Sequence, residues 1–454
     1  MKDLTVGKPM KVIFMFALPM ILGQFAQQMY SFCDSAIVGN FVSPNALAAV
    51  GATSVVSNMM IGFLNNGTMG LAIPIAKYYG AKDYRNMRKC IKSSALITLT
   101  ATILLTLFGL LFIGRILSAL GTPDDIFDMA NQYVLIIIAG MFFCSLYNLC
   151  ANVLRAVGDS KTPLVFLGIS VVTNILLDLL FIKVFGMGVS GAAIATVISQ
   201  ALSGILSLIF ICTRAKHLLP QKGDGRAEKS DVRDLIQSAL AMGFMSCIVN
   251  IGTVILQKAI NGLGTDIITA HTSARKVFDL LTVVLYIVGN AVTTFVSQNM
   301  GAGKYDRVKK GIRDALIINI SLSTVIIILG WLVSNPLIRL VSGTSDPAVI
   351  EPAVRYIRIS VSCFYVLAPV FVLRCAMQGM GRKIVPIMSS LMELVGKILA
   401  VMLLTPRLGY LGVTITEPII WACCTLMLTI VYLVTPVDKL VEKRGLNKPQ
   451  EAKS

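Results

Sequence analysis

The sequence predicts an all-α polytopic membrane protein, with twelve transmembrane helices in two pseudo-symmetric six-helix lobes. Three observations predict this. Hydrophobic residues make up 56% of the 454-residue chain and charged residues only 14%, whereas a soluble domain averages about 25% charged. The apolar residues fall into runs of membrane length, since a helix rising ~1.5 Å per residue crosses a ~30 Å hydrocarbon core in about 20 residues. Short motifs also recur in order at one sequence offset.

The spans lie near 12–38, 46–73, 91–113, 129–153, 163–185, 189–212, 234–258, 270–296, 312–334, 350–373, 384–404 and 411–434. The segment after Lys11 runs on without a small-residue cleavage pattern, so it reads as the first span and not as a secretory signal. Spans two and eight exceed the bilayer and are expected to tilt or project beyond it. Basic residues fix the orientation. Thirty of the forty Lys and Arg fall in the N-terminus, in the loops after even-numbered spans and in the C-terminal tail, while the loop between spans one and two has none. The positive-inside rule then places both termini in the cytoplasm of a cell (inner or plasma) membrane. The net charge of +17 is therefore a topology signal, and a nucleic-acid partner is excluded. The ten cysteines are scattered, with Cys33, Cys144, Cys247 and Cys363 inside apolar spans and no CxxC spacing, so free thiols are expected. Two histidines, His217 and His271, do not make a His-rich metal site.

The repeat appears in three places. "YYGAKDYRNMRKCIK" (78–92) pairs with "QNMGAGKYDRVKKGIR" (298–313), aligning Gly80 with Gly301 and Tyr84 with Tyr305. "LRAVGDSKTP" (154–163) pairs with "MQGMGRKIVP" (377–386), and Gly188 and Gly191 pair with Gly409 and Gly412. The chain therefore divides into an N-terminal lobe 1–212, a cytoplasmic linker 213–233, a C-terminal lobe 234–435 and a cytoplasmic tail 436–454. Six spans per half make this a parallel repeat, and two such lobes suit alternating access by rocking.

Asp178 is the only charged residue in the 21-residue stretch between Lys161 and Lys183. A charge at that depth costs at least ~2.5 kcal/mol, which makes it an ion- or substrate-site candidate. Asn174 lies four residues earlier on the same helix face. Asp34 is the second buried acid, and Gln27 and Tyr30 share its stripe of the first helix. Asp34 lies 23 residues beyond Lys11 and Asp178 lies 17 beyond Lys161, so both fall in the outer half of the membrane, as does Thr196. Two carboxyls, an amide and a hydroxyl form an oxygen-lined set that suits shared protons or Na⁺. Pro19, 15 residues before Asp34, removes a helix hydrogen bond and allows a bend. The second half differs: Glu393 and Lys397 are four apart and able to pair, as are Arg275 and Asp279, and Lys258, Lys276 and Glu417 add further charge.

With these residues in view, the chain resembles the multidrug and toxic compound extrusion (MATE) family over essentially its full length. The resemblance rests on the two six-span halves, "QQMYSFCDSAIVG" (27–39), the paired cytoplasmic loops, "LRAVGDSKTP", "TNILLD" (173–178) and "TEPIIW" (416–421). It implies that Asp34, Asn174, Asp178 and Thr196 form the cation site of the N-terminal lobe. It also implies that Gln27, Tyr30 and Asn148 line the cavity and that Pro19 is the bending proline. Some members carry acids on the seventh and tenth helices for a C-lobe Na⁺ site. Here Gln257 and Lys258 stand on the seventh, and the one acid before Arg374 on the tenth is Glu351, at its start.

The expected function is a cation-coupled antiporter, with H⁺ or Na⁺ as coupling ion and no other cofactor. It would export organic, amphipathic cationic compounds, including xenobiotics, and act as a monomer. A flippase for a lipid-linked precursor is the alternative, kept open by Lys258, Arg275 and Lys276. A membrane-embedded enzyme finds no HExxH or GxSxG motif, and a channel fits two unlike halves less well than alternating access.

Overall fold

In the computed structural model, residues 3–435 and Val437 are described; the rest of the expected tail, 436–454, lies outside the described residues. The first-half helices are α1 (Pro9–Phe41), α2 (Pro44–Gly80), α3 (Tyr84–Ala119), α4 (Asp124–Ala139), α5 (Met141–Ala156), α6 (Lys161–Asp178) and α7 (Gly188–Thr213). The second half holds α8 (Lys229–Asn261), α9 (Thr265–Gly301), α10 (Tyr305–Ser342), α11 (Pro347–Ser362), α12 (Phe364–Gly379), α13 (Ile384–Leu403), α14 (Thr405–Leu408) and α15 (Tyr410–Val434). Among the described residues, ten helices are long and apolar enough to cross a membrane, or twelve spans if each of two bent pairs counts as one. The pairs are α4 with α5, bent 45°, and α11 with α12, bent 56°. Both pairs begin and end at positions 223 residues apart, 124/347 and 156/379, so the duplication extends to the bends.

Local chemistry sets these boundaries. Pro44 opens α2, where Ser43 Oγ accepts from Ala46 N at 3.0 Å. Asp83 caps α3 by accepting from Asn86 N at 3.1 Å, and Asp346 caps α11 by accepting from Ala348 N at 2.9 Å. Each cap satisfies a donor that a helix start leaves open, a contribution of about 1 kcal/mol. In α12, Pro369 cannot donate to the preceding turn, a loss that accompanies the bend. Pro19 lies inside the unbroken helix α1. One expected span is not a plain α-helix. The fifth, expected over 163–185, stops as α6 at Asp178 and continues as a π-helical turn, Leu179–Val184, with Phe185 N donating to Leu180 O at 3.0 Å.

The described residues form two compact units, one built on Leu18–Cys247 and the other on Leu4–Ala17 with Ile248 onward. In this division 213–247 falls in the first unit and Leu4–Ala17 in the second. The linker 213–233 packs within the first unit. Arg88 makes a two-pronged contact to Asp224 (2.8 and 2.7 Å), Arg85 donates to Gly223 O at 3.1 Å, and Tyr78 donates to Asp231 at 2.6 Å. Within the second unit, the N-terminal segment docks on the turn before α10. Leu4 N donates to Gln298 Oε1 at 3.1 Å, Lys304 Nζ donates to Thr5 O at 2.9 Å, and Arg307 donates to Gly7 O. Neither contact is visible as a hydrophobic pattern, because polar groups make both.

In the first unit, α7 decides how closely the others approach. Its buried face is made of small residues, among them Gly191, Ala192, Ala195, Ser199, Ser203 and Gly204. Small side chains let helices close to hydrogen-bonding distance inside a membrane. Ser170 on α6 donates to Ser199 O at 2.8 Å. Gly140, at the α4–α5 bend, is equally constrained: a Cβ there would lie 2.3 Å from Val197 Cγ2.

Candidate cation-coupling site

Three helices of the first unit converge on one polar cluster. From α1 come Tyr30 and Asp34, from α6 Asn174 and Asp178, and from α7 Thr196. Asp34 is 7% exposed, and Asn174 and Asp178 are fully buried. The Tyr30 hydroxyl and Thr196 Oγ1 are 2.9 Å apart. The Asn174 amide, turned to satisfy both its ends, donates to Asp178 Oδ2 at 2.9 Å and accepts from Thr196 N at 3.3 Å. The two carboxyls stand within electrostatic range of each other. Oδ1 of each has no hydrogen-bond partner among the described residues. Leaving such an atom buried and unpaired costs about 1–3 kcal/mol, and more if it is charged, so the cluster is a poor structural staple and a good receptor for a proton or small cation.

An apolar cluster of Ile37, Val38, Ala46, Ile182, Val189 and Ala192 lies beside it and holds the helices in place. Tyr133 on α4 packs against that cluster and stands within electrostatic range of Asp34, Tyr30 and Asp178. Sequence reasoning passed over it, although a lone tyrosine in "NQYVLIIIAG" was the available signal. Of the expected cavity residues, Gln27 is exposed on α1, and the Asn148 amide donates to Cys144 O of its own helix at 2.8 Å.

The second unit buries a different arrangement. Arg275 pairs with Asp279 at 3.0 Å and with Glu417 at 2.8 Å. Lys397 reaches Glu393 at 3.2 Å and Glu417 at 3.9 Å, and Arg374 reaches Glu393 at 3.6 Å. Tyr356 donates to the other oxygen of Glu417 at 3.2 Å. His271 approaches the Tyr410 hydroxyl at 3.3 Å and packs edge-on against Tyr356. Three bases face three acids, so the cluster is neutral. Both expected i, i+4 pairs are present. The link through Glu417 to Arg275 and Lys397 joins residues far apart in sequence, and no local spacing announces it. Lys397 is 2% exposed, and Gly252 on α8 makes room for its stem, since a Cβ there would lie 2.9 Å from Lys397 Cδ. Among the described residues no group of three or more His, Cys, Asp and Glu is arranged to hold a metal ion. All ten cysteines are free, although Cys212 and Cys423 are exposed.

Twelve helical spans in two repeated halves, with an incompletely partnered acid pair buried in only one of them, define a polytopic membrane transporter. The MatE family model matches residues 19–180 and 241–402, one match in each half. The chain is 26% identical over 425 residues to the probable multidrug resistance protein YoeA of Bacillus subtilis (strain 168), covering 91% of each. It is 29% identical over 310 residues to the probable multidrug resistance protein YpnP of the same organism, covering 67% of this chain and 68% of that one. Its fold matches a crystal structure of MATE in the bent conformation with a TM-score of 0.90 at 19% identity, over 97% of this chain and 98% of the other. The chain belongs to the MatE family: it is a MATE transporter and not an enzyme.

Proposed function

We propose that this protein exports organic, amphipathic cationic compounds from the cell in exchange for inward-moving H⁺ or Na⁺, by alternating access. The names of its relatives support multidrug export. The observation that carries the coupling site is the pair of unsatisfied carboxylate oxygens, Oδ1 of Asp34 and Oδ1 of Asp178. Either ion supplies what these atoms lack. With its N–H toward Asp178 and its oxygen toward Thr196 N, the Asn174 amide supports the ionised carboxyl; a protonated Asp178 or a bound Na⁺ alike would use that oxygen only after the amide turns.

While either acid is ionised, a lipophilic cation is attracted to the first unit; ion entry weakens the attraction, and by linkage bound drug lowers the affinity for the ion. Each net charge moved inward through ~100 mV supplies ~2.3 kcal/mol, roughly a fiftyfold gradient, whereas a one-for-one cation exchange moves none and draws on the ion's concentration gradient. Of the three bases that kept a lipid-precursor flippase open, Arg275 is committed to two carboxylates. The test is efflux of a fluorescent lipophilic cation from proteoliposomes under separately imposed pH and Na⁺ gradients. One gradient should drive export in the wild type and neither should in Asp34→Asn or Asp178→Asn. Normal pumping by both variants would remove the pair from the mechanism.

A further inference from the structure

A groove of about 650 Å³ runs along the second unit, lined by residues of α10 and α11 with Cys363. Apolar side chains, Ile350, Val354 and Ile359, line it together with Trp331, Arg355 and Arg358. The Arg358 guanidinium lies over the Trp331 ring at 5.0 Å, and Trp331 Nε1 donates to Ser362 Oγ at 3.1 Å, which fixes the indole plane. Neither arginine forms an ion pair among the described residues, and Arg358 Nε is buried without a hydrogen-bond partner. Two uncommitted guanidinium groups in a mostly apolar groove, against one acid, Glu351, leave an excess of positive charge.

Depth identifies what fits there. Arg313 marks the basic end of α10, and Trp331 lies 18 residues further on. At ~1.5 Å per residue that is about 27 Å, close to the thickness of the hydrocarbon core, so Trp331 sits at the opposite headgroup boundary. This is where tryptophans anchor and where the phosphates of lipid headgroups lie. The depth argument holds whichever face of the membrane that boundary occupies.

We propose that this groove is a binding site for an anionic phospholipid, with the phosphate held by Arg355 and Arg358 and an acyl chain along Ile350, Val354 and Ile359. The chain has two tryptophans, Trp331 and Trp421. In a Trp421→Phe variant, which keeps an aromatic ring stacked on Phe278, Trp331 alone reports on the groove. Brominated phosphatidylglycerol should quench it at a lower mole fraction than brominated phosphatidylcholine, by roughly tenfold, since each basic group contributes several-fold near an anionic lipid. In Arg355→Ala/Arg358→Ala that preference should vanish. Native mass spectrometry of the protein without the Trp421 substitution should rank the two lipids the same way. Equal quenching by both lipids, a preference surviving in the double variant, or displacement of the lipid by inorganic phosphate would overturn the assignment.

Discussion

The Asn174 amide serves the two protonation states of Asp178 differently. As a carboxylate Asp178 accepts from the Asn174 amide; as an acid it needs an acceptor, which the same amide offers only after turning over. Asn174→Asp would place a third carboxyl beside the pair and make the site harder to discharge. Coupled transport in that variant should fall at least tenfold, while Asn174→Gln, which keeps the amide, should lose less; initial efflux rates in proteoliposomes compare them. In the second unit Glu417 is the hub, since Arg275, Lys397 and Tyr356 all meet it. Removing one partner from a buried ion cluster leaves uncompensated charge, so Glu417→Ala should cost about 3 kcal/mol. Glu393→Gln should cost less, because Lys397 keeps Glu417. Unfolding midpoints of the purified variants rank the two.

At the scale of elements, the bend between α4 and α5 depends on one close approach. Gly140→Ala drives a methyl into Val197, the residue after Thr196, and overpacking of this kind costs about 1–3 kcal/mol. Restoring the space with Val197→Ala should recover most of that loss; failure of the double variant to regain stability would mean the bend matters for another reason. The linker is a second element with an identifiable hold. Hydrogen bonds from Arg88, then from Gln221 N, keep the Asp224 carboxyl well below the usual carboxylate range. A group depressed in the folded state stabilises above its ordinary value of about 4 and loses that contribution as pH falls toward the lowered one. Docking of 213–228 should therefore persist from neutral pH down to about pH 4. Asp224→Asn should loosen it across that whole range, seen as faster hydrogen exchange in the linker.

For the whole molecule, the distribution of Lys and Arg sets the orientation. The turns before α3 and before α10 carry matching basic clusters, and both should face the cytoplasm. Single cysteines at Asn86 and Asp306, in a background cleared of the ten native thiols, should resist impermeant reagents in intact cells and react after lysis. Labelling of either from outside would invert the topology proposed for the chain.

By itself the sequence determined the membrane class, the number of spans, the duplication and the residues of the acid pair. The reason is physical: a bilayer admits charge so rarely that Asp34 and Asp178 stand out in any apolar run, and membrane thickness dictates helix length. Local spacing also carried Arg275 with Asp279 and Glu393 with Lys397, because a helix brings i and i+4 together. Only the tertiary structure decided the rest. That Thr196 meets Tyr30, that Asn174 turns its amide toward Asp178, that Glu417 joins two ion pairs and that Tyr133 stands by the acids all depend on how helices distant in sequence are packed. The π-helical turn after Asp178 has no residue signature of its own. The docking of Leu4–Ala17 and of the linker on their units uses backbone carbonyls and arginine side chains, groups whose partners no periodicity announces.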